Sequence, residues 1–190
     1  DGTATACNLA GAPTVDLPGA LTGEDAGGTW IDTDASGVSL ATPGMVDFTG
    51  VTAGSYTFTY VVMGTAPCAN DTALVEVTVT AAPNAGADGT ASVCNDGSAT
   101  VDLPGALTGE DAGGTWIDTD ASGANISNPV MADFTGITAG SYTFTYVVGG
   151  VAPCVNDTSE VEVTVTAAAN AGTDGTATAC NLAGAPTVDL

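Results

Sequence analysis

The chain has 190 residues, 44% of them apolar and 5% aromatic, and its 22 acidic residues stand against no Lys, Arg or His, a formal charge of −22. Without basic side chains it can neither neutralise nucleic-acid phosphates nor settle on an anionic membrane, and it can form no side-chain salt bridge. Acid–base catalysis by His or Lys is excluded with them, and no apolar run approaches the ~18 residues of a membrane helix.

Residues 16–37, DLPGALTGEDAGGTWIDTDASG, recur unchanged as residues 102–123, 86 positions later, and residues 1–17 return letter for letter as residues 174–190. Identity at this level marks a tandem array. A unit of this size can hold one modest core of its own. The expected division is residues 1–82 and 83–168 as two repeats, with 169–190 as a junction and the first strands of a third.

In chain order, residues 3–7 form a short β-prone segment, followed by a turn where the second repeat is one residue shorter. Val15 and Leu17 alternate before Pro18 and Gly19 break the pattern. Gly27 and Gly28 lead into residues 29–32, with Trp30 directed inward. Residues 38–47 differ most from their copy and read as a surface connection, closed by Phe48. Residues 55–62 alternate most clearly, placing Tyr56, Phe58, Tyr60 and Val62 on one face and Thr57 and Thr59 on the other. A loop over 64–71 precedes the closing strand, residues 73–80, with Val75, Val77 and Val79 inward. Nothing shows helical periodicity. Six or seven short strands per repeat, an inward Trp, and Tyr56 and Tyr142 at the position of a tyrosine corner predict an all-β chain of immunoglobulin-like sandwiches joined head to tail.

The segments GGTW (27–30), AGSYTFTY (53–60), APC (66–68) and the junctions NAGADGT (84–90) and NAGTDGT (170–176) resemble the Ig-like repeats of giant surface adhesins and gliding-associated proteins of Bacteroidetes. The resemblance implies export by the type IX secretion route and display on, or shedding from, the cell surface as long fibres.

Five cysteines follow the repeat: Cys7 and Cys68, Cys94 and Cys154, then Cys180. They have neither CxxC spacing nor His neighbours, so a disulfide framework in an oxidising compartment is the expectation. Chain entropy favours a 60-residue loop over a 26-residue one by only about 0.5 kcal/mol. Geometry favours pairs within a repeat, Cys7–Cys68 and Cys94–Cys154. The loop before the last strand lies at the leading end of a sandwich, and that strand travels about 25 Å to the trailing end, where the next repeat starts.

The segment IDTDASG carries Asp32 and Asp34, copied as Asp118 and Asp120, with the spacing that opens a calcium loop. The twelfth position is Pro43 or Pro129 rather than Glu, so an EF-hand is excluded. A looser Ca2+ site competes with a plain solvated turn. Asn70, Asn125 and Asn156 begin glycosylation sequons, and Thr72 sits in a sequence similar to a bacterial O-glycosylation acceptor. Paired carboxylates such as Glu24 and Asp25 could serve a glycosidase, yet their recurrence on Gly-rich turns in both copies argues against an enzyme. The predicted function is therefore a structural segment of an extracellular fibre or adhesin stalk. Its partners are further copies of the repeat, with any surface or glycan ligand elsewhere. The rivals are a multivalent carbohydrate- or surface-binding array and an ice- or mineral-binding one.

Overall fold

The computed structural model describes residues 1–97, 99–178 and 183–184. The segments with the clearest two-residue alternation form the centre of each repeat. In the first repeat, β1 (Gly2–Cys7), β2 (Thr29–Asp32), β3 (Gly54–Val62) and β4 (Asp71–Thr80) make one four-stranded sheet in the order β1-β4-β3-β2. The pairs β4–β3 and β3–β2 are antiparallel, whereas β1 runs parallel to β4, with Gly2 opposite Val75 and Cys7 opposite Thr80.

The second repeat contains β5 (Gly89–Cys94), β6 (Thr100–Val101), β7 (Thr115–Asp118), β8 (Ala132–Asp133), β9 (Gly140–Val148) and β10 (Asp157–Thr166). Its sheet β5-β10-β9-β7 repeats the first, parallel pair included. Strand β5 pairs with β10 of its own repeat.

Each sheet turns one face to a thinner second layer. Leu17, Val46 and Phe48 lie against Phe58, Val75 and Val77, all at most 2% exposed, and Leu103, Ala132 and Phe134 do the same in the second repeat. Phe48 meets Phe58 edge to face at 5.9 Å between ring centroids, and Phe134 meets Phe144 at 5.4 Å. Burying each large side chain stabilises the fold by about 1.5–3 kcal/mol. Both repeats are immunoglobulin-like sandwiches with a reduced second layer.

The second repeat has six strands, within the expected six or seven, whereas the first has four. The second layer is one bridge, Val15 with Val46, in the first repeat, and in the second the two-residue pair β6–β8 with Asn125 bridging Asp133 on the other side of β8. Pro18, Pro43, Pro104 and Pro129 each open a 3₁₀ turn there, because proline supplies no ladder N–H. The variable connection is also more than surface, since its Val46, or Ala132, is fully buried. Trp30 and Trp116 are half-buried at the sheet edge, 5.0 Å from the rings of Tyr60 and Tyr146. No helix among the described residues is long and apolar enough to cross a membrane.

Candidate functional site: the junction between repeats

Because β1 and β4 are parallel, they end side by side at the trailing end of the first repeat. Asn8 follows at once and ties that end down. Its Oδ1 accepts from the Ala82 N–H at 2.7 Å, its Nδ2 donates to the Val51 carbonyl at 3.0 Å, and its own N–H donates to the Thr80 carbonyl. Asn95 makes the same contacts with Ala168 and Ile137 in the second repeat.

Only Pro83 then separates the first repeat from residues held by the second. The Asn84 N–H donates to Asp111 Oδ2 at 2.9 Å, the Asp111 N–H returns a bond to the Asn84 carbonyl at 2.7 Å, and Asn84 Nδ2 donates to the Gly109 carbonyl at 2.8 Å. Ala85 is fully buried, and its N–H donates to Asp157 Oδ2 at 2.7 Å. Ala87 bridges Thr108, and Ser159 Oγ donates to the Gly86 carbonyl. Gly86 needs its lack of a side chain: its φ is +86°, and a Cβ would stand 2.9 Å from the Thr108 carbonyl oxygen. Residues 84–87 thus lie in a groove at the leading end of the second repeat.

A covalent bond spans the same junction. Cys7 is joined to Cys154, 147 residues away, with 5.1 Å between Cα atoms. Cys154 sits in the loop before β10, its N–H donating to the Val151 carbonyl, and its sulfur lies 3.6 and 3.5 Å from the carbonyl oxygens of Thr80 and Ala81. Both bonded cysteines are buried, whereas Cys68 and Cys94 are free and exposed.

The expected pairs Cys7–Cys68 and Cys94–Cys154 are therefore wrong, for a topological reason. Cys68, just before β4, is at the leading end as predicted. Cys7 is not, because parallel pairing carries β1 to the trailing end. The ten residues of β4 separate the two by about 30 Å, while a disulfide needs Cα atoms within about 7 Å. Cys180 lies outside the described residues.

The other predicted positions lie on turns. Asp32 Oδ2 accepts from Ser36 Oγ at 2.9 Å and from the Gly37 N–H at 3.1 Å, and Asp118 Oδ2 repeats both contacts with Ser122 and Gly123. Asp34 and Asp120 accept from the backbone N–H groups of Thr57 and Thr143 on the neighbouring strand. Asp118 Oδ1 also accepts from the Ser122 N–H, whereas Asp32 Oδ1 is buried without a partner. Among the described residues, no three His, Cys, Asp or Glu side chains converge as a metal site.

Asn70, Thr72, Asn125 and Asn156 are exposed. Asn70 Oδ1 and Asn156 Oδ1 accept from the N–H groups of Gly64 and Gly150, closing the two cysteine-bearing loops. Two carboxylates titrate below the usual range: the Thr49 hydroxyl and then its N–H hold Asp47 down, and Thr135 does the same to Asp133.

Sequence reasoning missed the junction residues Asn8, Asn84, Asp111 and Asp157. Their signal was recurrence, an Asn directly after each β1-type cysteine and Asn-Ala-Gly at each boundary.

No protein family and no curated protein matches the chain. Among solved structures it is similar to the insect immune protein hemolin, at 13% identity and a TM-score of 0.42, over 87% of this chain and 45% of hemolin. The chain thus spans less than half of hemolin's length. Human protocadherin-24 (its EC1-2 segment) is similar at 13% identity and a TM-score of 0.40, over 86% and 93% of the two chains. A SusE-like surface-located polysaccharide-binding protein of Bacteroides thetaiotaomicron follows at 15% identity and a TM-score of 0.30, over 86% and 33%. These similarities are too low to argue function, which rests on the junction.

Proposed function

We propose that the chain is a load-carrying segment of an extracellular fibre or adhesin stalk, in which repeats are the structural units and the junction is the functional site. One observation carries this reading: the junction is held from both sides, by Asn8 behind, by the groove ahead, and by a disulfide between the two repeats. A linker meant to be flexible would carry solvated Gly and Ser and make no such contacts. The disulfide supports an oxidising, extracellular setting. Membership of the Bacteroidetes adhesin and gliding-protein repeats is part of the proposal, supported by the sequence resemblance alone. The carbohydrate-binding rival is the weaker reading, because the large side chains exposed among the described residues are aliphatic, among them Ile31, Met63 and Val155.

A hard cation such as Ca2+ at Asp32 and Asp34, and at Asp118 and Asp120, is a secondary component. Its support is the net charge and the unpartnered Asp32 Oδ1. Chelator at constant ionic strength would then lower the melting temperature, since a bound ion stabilises only the folded state. An unchanged curve would assign these carboxylates to their turns alone.

Small-angle scattering of the oxidised chain tests the main reading. The expected maximum dimension is about twice that of one repeat, with a narrow distribution of inter-repeat angles. A compact particle, or a broad angular distribution that ignores the disulfide, would refute a stalk.

A further inference from the structure

The leading end of the first repeat carries a copy of the groove that holds residues 84–87 in the second, with Ala73 in place of the Ser159 hydroxyl. Leu21, Thr22, Asp25, Tyr60, Asp71 and Ala73 are among the residues lining an open cavity of about 260 Å³. Their copies 86 positions on include the partners of the junction: Thr108 bridges Ala87, Asp111 binds Asn84, Asp157 receives the Ala85 N–H, and Ser159 donates to Gly86. The register agrees from the other side. Asp1 Oδ1 accepts from the Leu74 N–H as Asp88 Oδ1 accepts from Glu160, each at 2.9 Å, so the four residues that would fill the cavity are those preceding Asp1 in an array.

The two free cysteines sit in the same frames as the bonded ones. Cys68 and Cys154 both donate their N–H groups three residues back, to Thr65 and Val151, at 2.9 Å. Gly64–Asn70 and Gly150–Asn156 close the two loops alike. Cys94 ends β5 opposite Thr166 as Cys7 ends β1 opposite Thr80. Cys68 therefore lies at the leading end of the first repeat, and Cys94 at the trailing end of the second.

We propose that the groove and Cys68 together form the docking site for the trailing end of a preceding repeat. The Asn-Ala-Gly segment that follows that repeat fills the groove, and the repeat's β1-terminal cysteine bonds Cys68. Cys94 makes the equivalent bond to the following repeat, so each disulfide in the array joins neighbours and none closes within a repeat. Each bond forms as two thiols pass two electrons and two protons to an external disulfide oxidant, which leaves as two thiols. The proposal rests on the array reading above and adds the partner and chemistry of the first repeat's leading end and the second repeat's trailing end.

Because residues 174–190 repeat residues 1–17, fusing a second copy of residues 18–82 after Leu190 completes a third repeat. With the original Cys68 replaced (Cys68→Ser), the appended copy of Cys68 gives a unique peptide. Non-reducing peptide mapping is expected to find it joined to Cys94, and hydrogen exchange at Ala171 should slow at least ~10-fold relative to the 190-residue chain. Cys94 left free or bonded to Cys180 while the third repeat is folded would overturn the proposal. A second measurement needs no new repeat. Adding Pro-Asn-Ala-Gly-Ala before Asp1 should raise the melting temperature of the first repeat, and Asp71→Ala should cancel the gain; no rise would overturn the groove. Scattering on the three-repeat chain separates the two readings. A rod with Cys94 free refutes only the docking, and a compact particle with Cys94 bonded refutes only the stalk.

Discussion

Single polar side chains close the loops of this protein, and they do so in duplicate. Tyr56 Oη donates to the Thr52 carbonyl and Tyr142 Oη to Thr138, each at 2.9 Å, the contact that defines a tyrosine corner. Tyr56→Phe removes the tyrosine's hydrogen bond to that carbonyl, and chemical denaturation should show a loss of about 1 kcal/mol. Asp47 and Asp133 carry a pH dependence. Their folded pKa values lie below the ordinary 3.8 because Thr49 and Thr135 donate to the charged form. The stabilisation is therefore complete above 3.8 and lost as pH falls through the lower folded values. Acid titrations of the paired variant Asp47→Asn, Asp133→Asn should show a shallower loss in that window than the parent. A steeper one would contradict the assignment.

At the scale of elements, the junction is a short segment whose backbone is almost wholly committed. Gly86→Ala forces a left-handed backbone on a residue with a Cβ and presses it against the Thr108 carbonyl. The expected cost is about 1–3 kcal/mol, read as a lower melting temperature of the second repeat with the first unchanged. Asn84→Ala removes two side-chain bonds, to Gly109 and from Gly86, and should cost about 1–3 kcal/mol. Cys154→Ser is expected to behave differently. Each sheet and core is complete without the bond, so circular dichroism should be unchanged while the inter-repeat angle broadens in scattering. Collapse of either repeat on reduction would show that the bond serves the repeats rather than their junction.

For the whole molecule, charge sets the behaviour. With 22 acidic side chains and no basic ones, side-chain electrostatics at neutral pH is repulsive, and no salt bridge between side chains exists for added salt to weaken. Raising monovalent salt from about 0.01 M to 0.1 M shortens the screening length from ~30 Å to ~10 Å. The melting temperature should rise over that range, and a fall would show that repulsion does not limit stability. The same repulsion favours an extended arrangement of repeats, in which the junction must hold a line rather than merely join two cores.

Much of this was legible in the residues themselves. Alternation placed Tyr56, Phe58, Tyr60, Val75, Val77 and Val79 on the core face, and both tyrosine corners followed from position, because side-chain period and local turns are properties of a short segment. The direction of β1 was not legible. Gly2–Cys7 alternates identically whether it runs parallel or antiparallel to β4, so the end at which Cys7 emerges, and with it the disulfide pairing, was settled by the sheet. Residues 84–87 were legible as a short junction, but their partners were not. Asn, Ala and Gly have no periodicity, and they become a docking segment only against Asp111, Asp157 and Ser159, brought together from 27 to 73 residues farther along the chain. Local chemistry wrote the strands, whereas contacts between distant segments decided how one repeat holds the next.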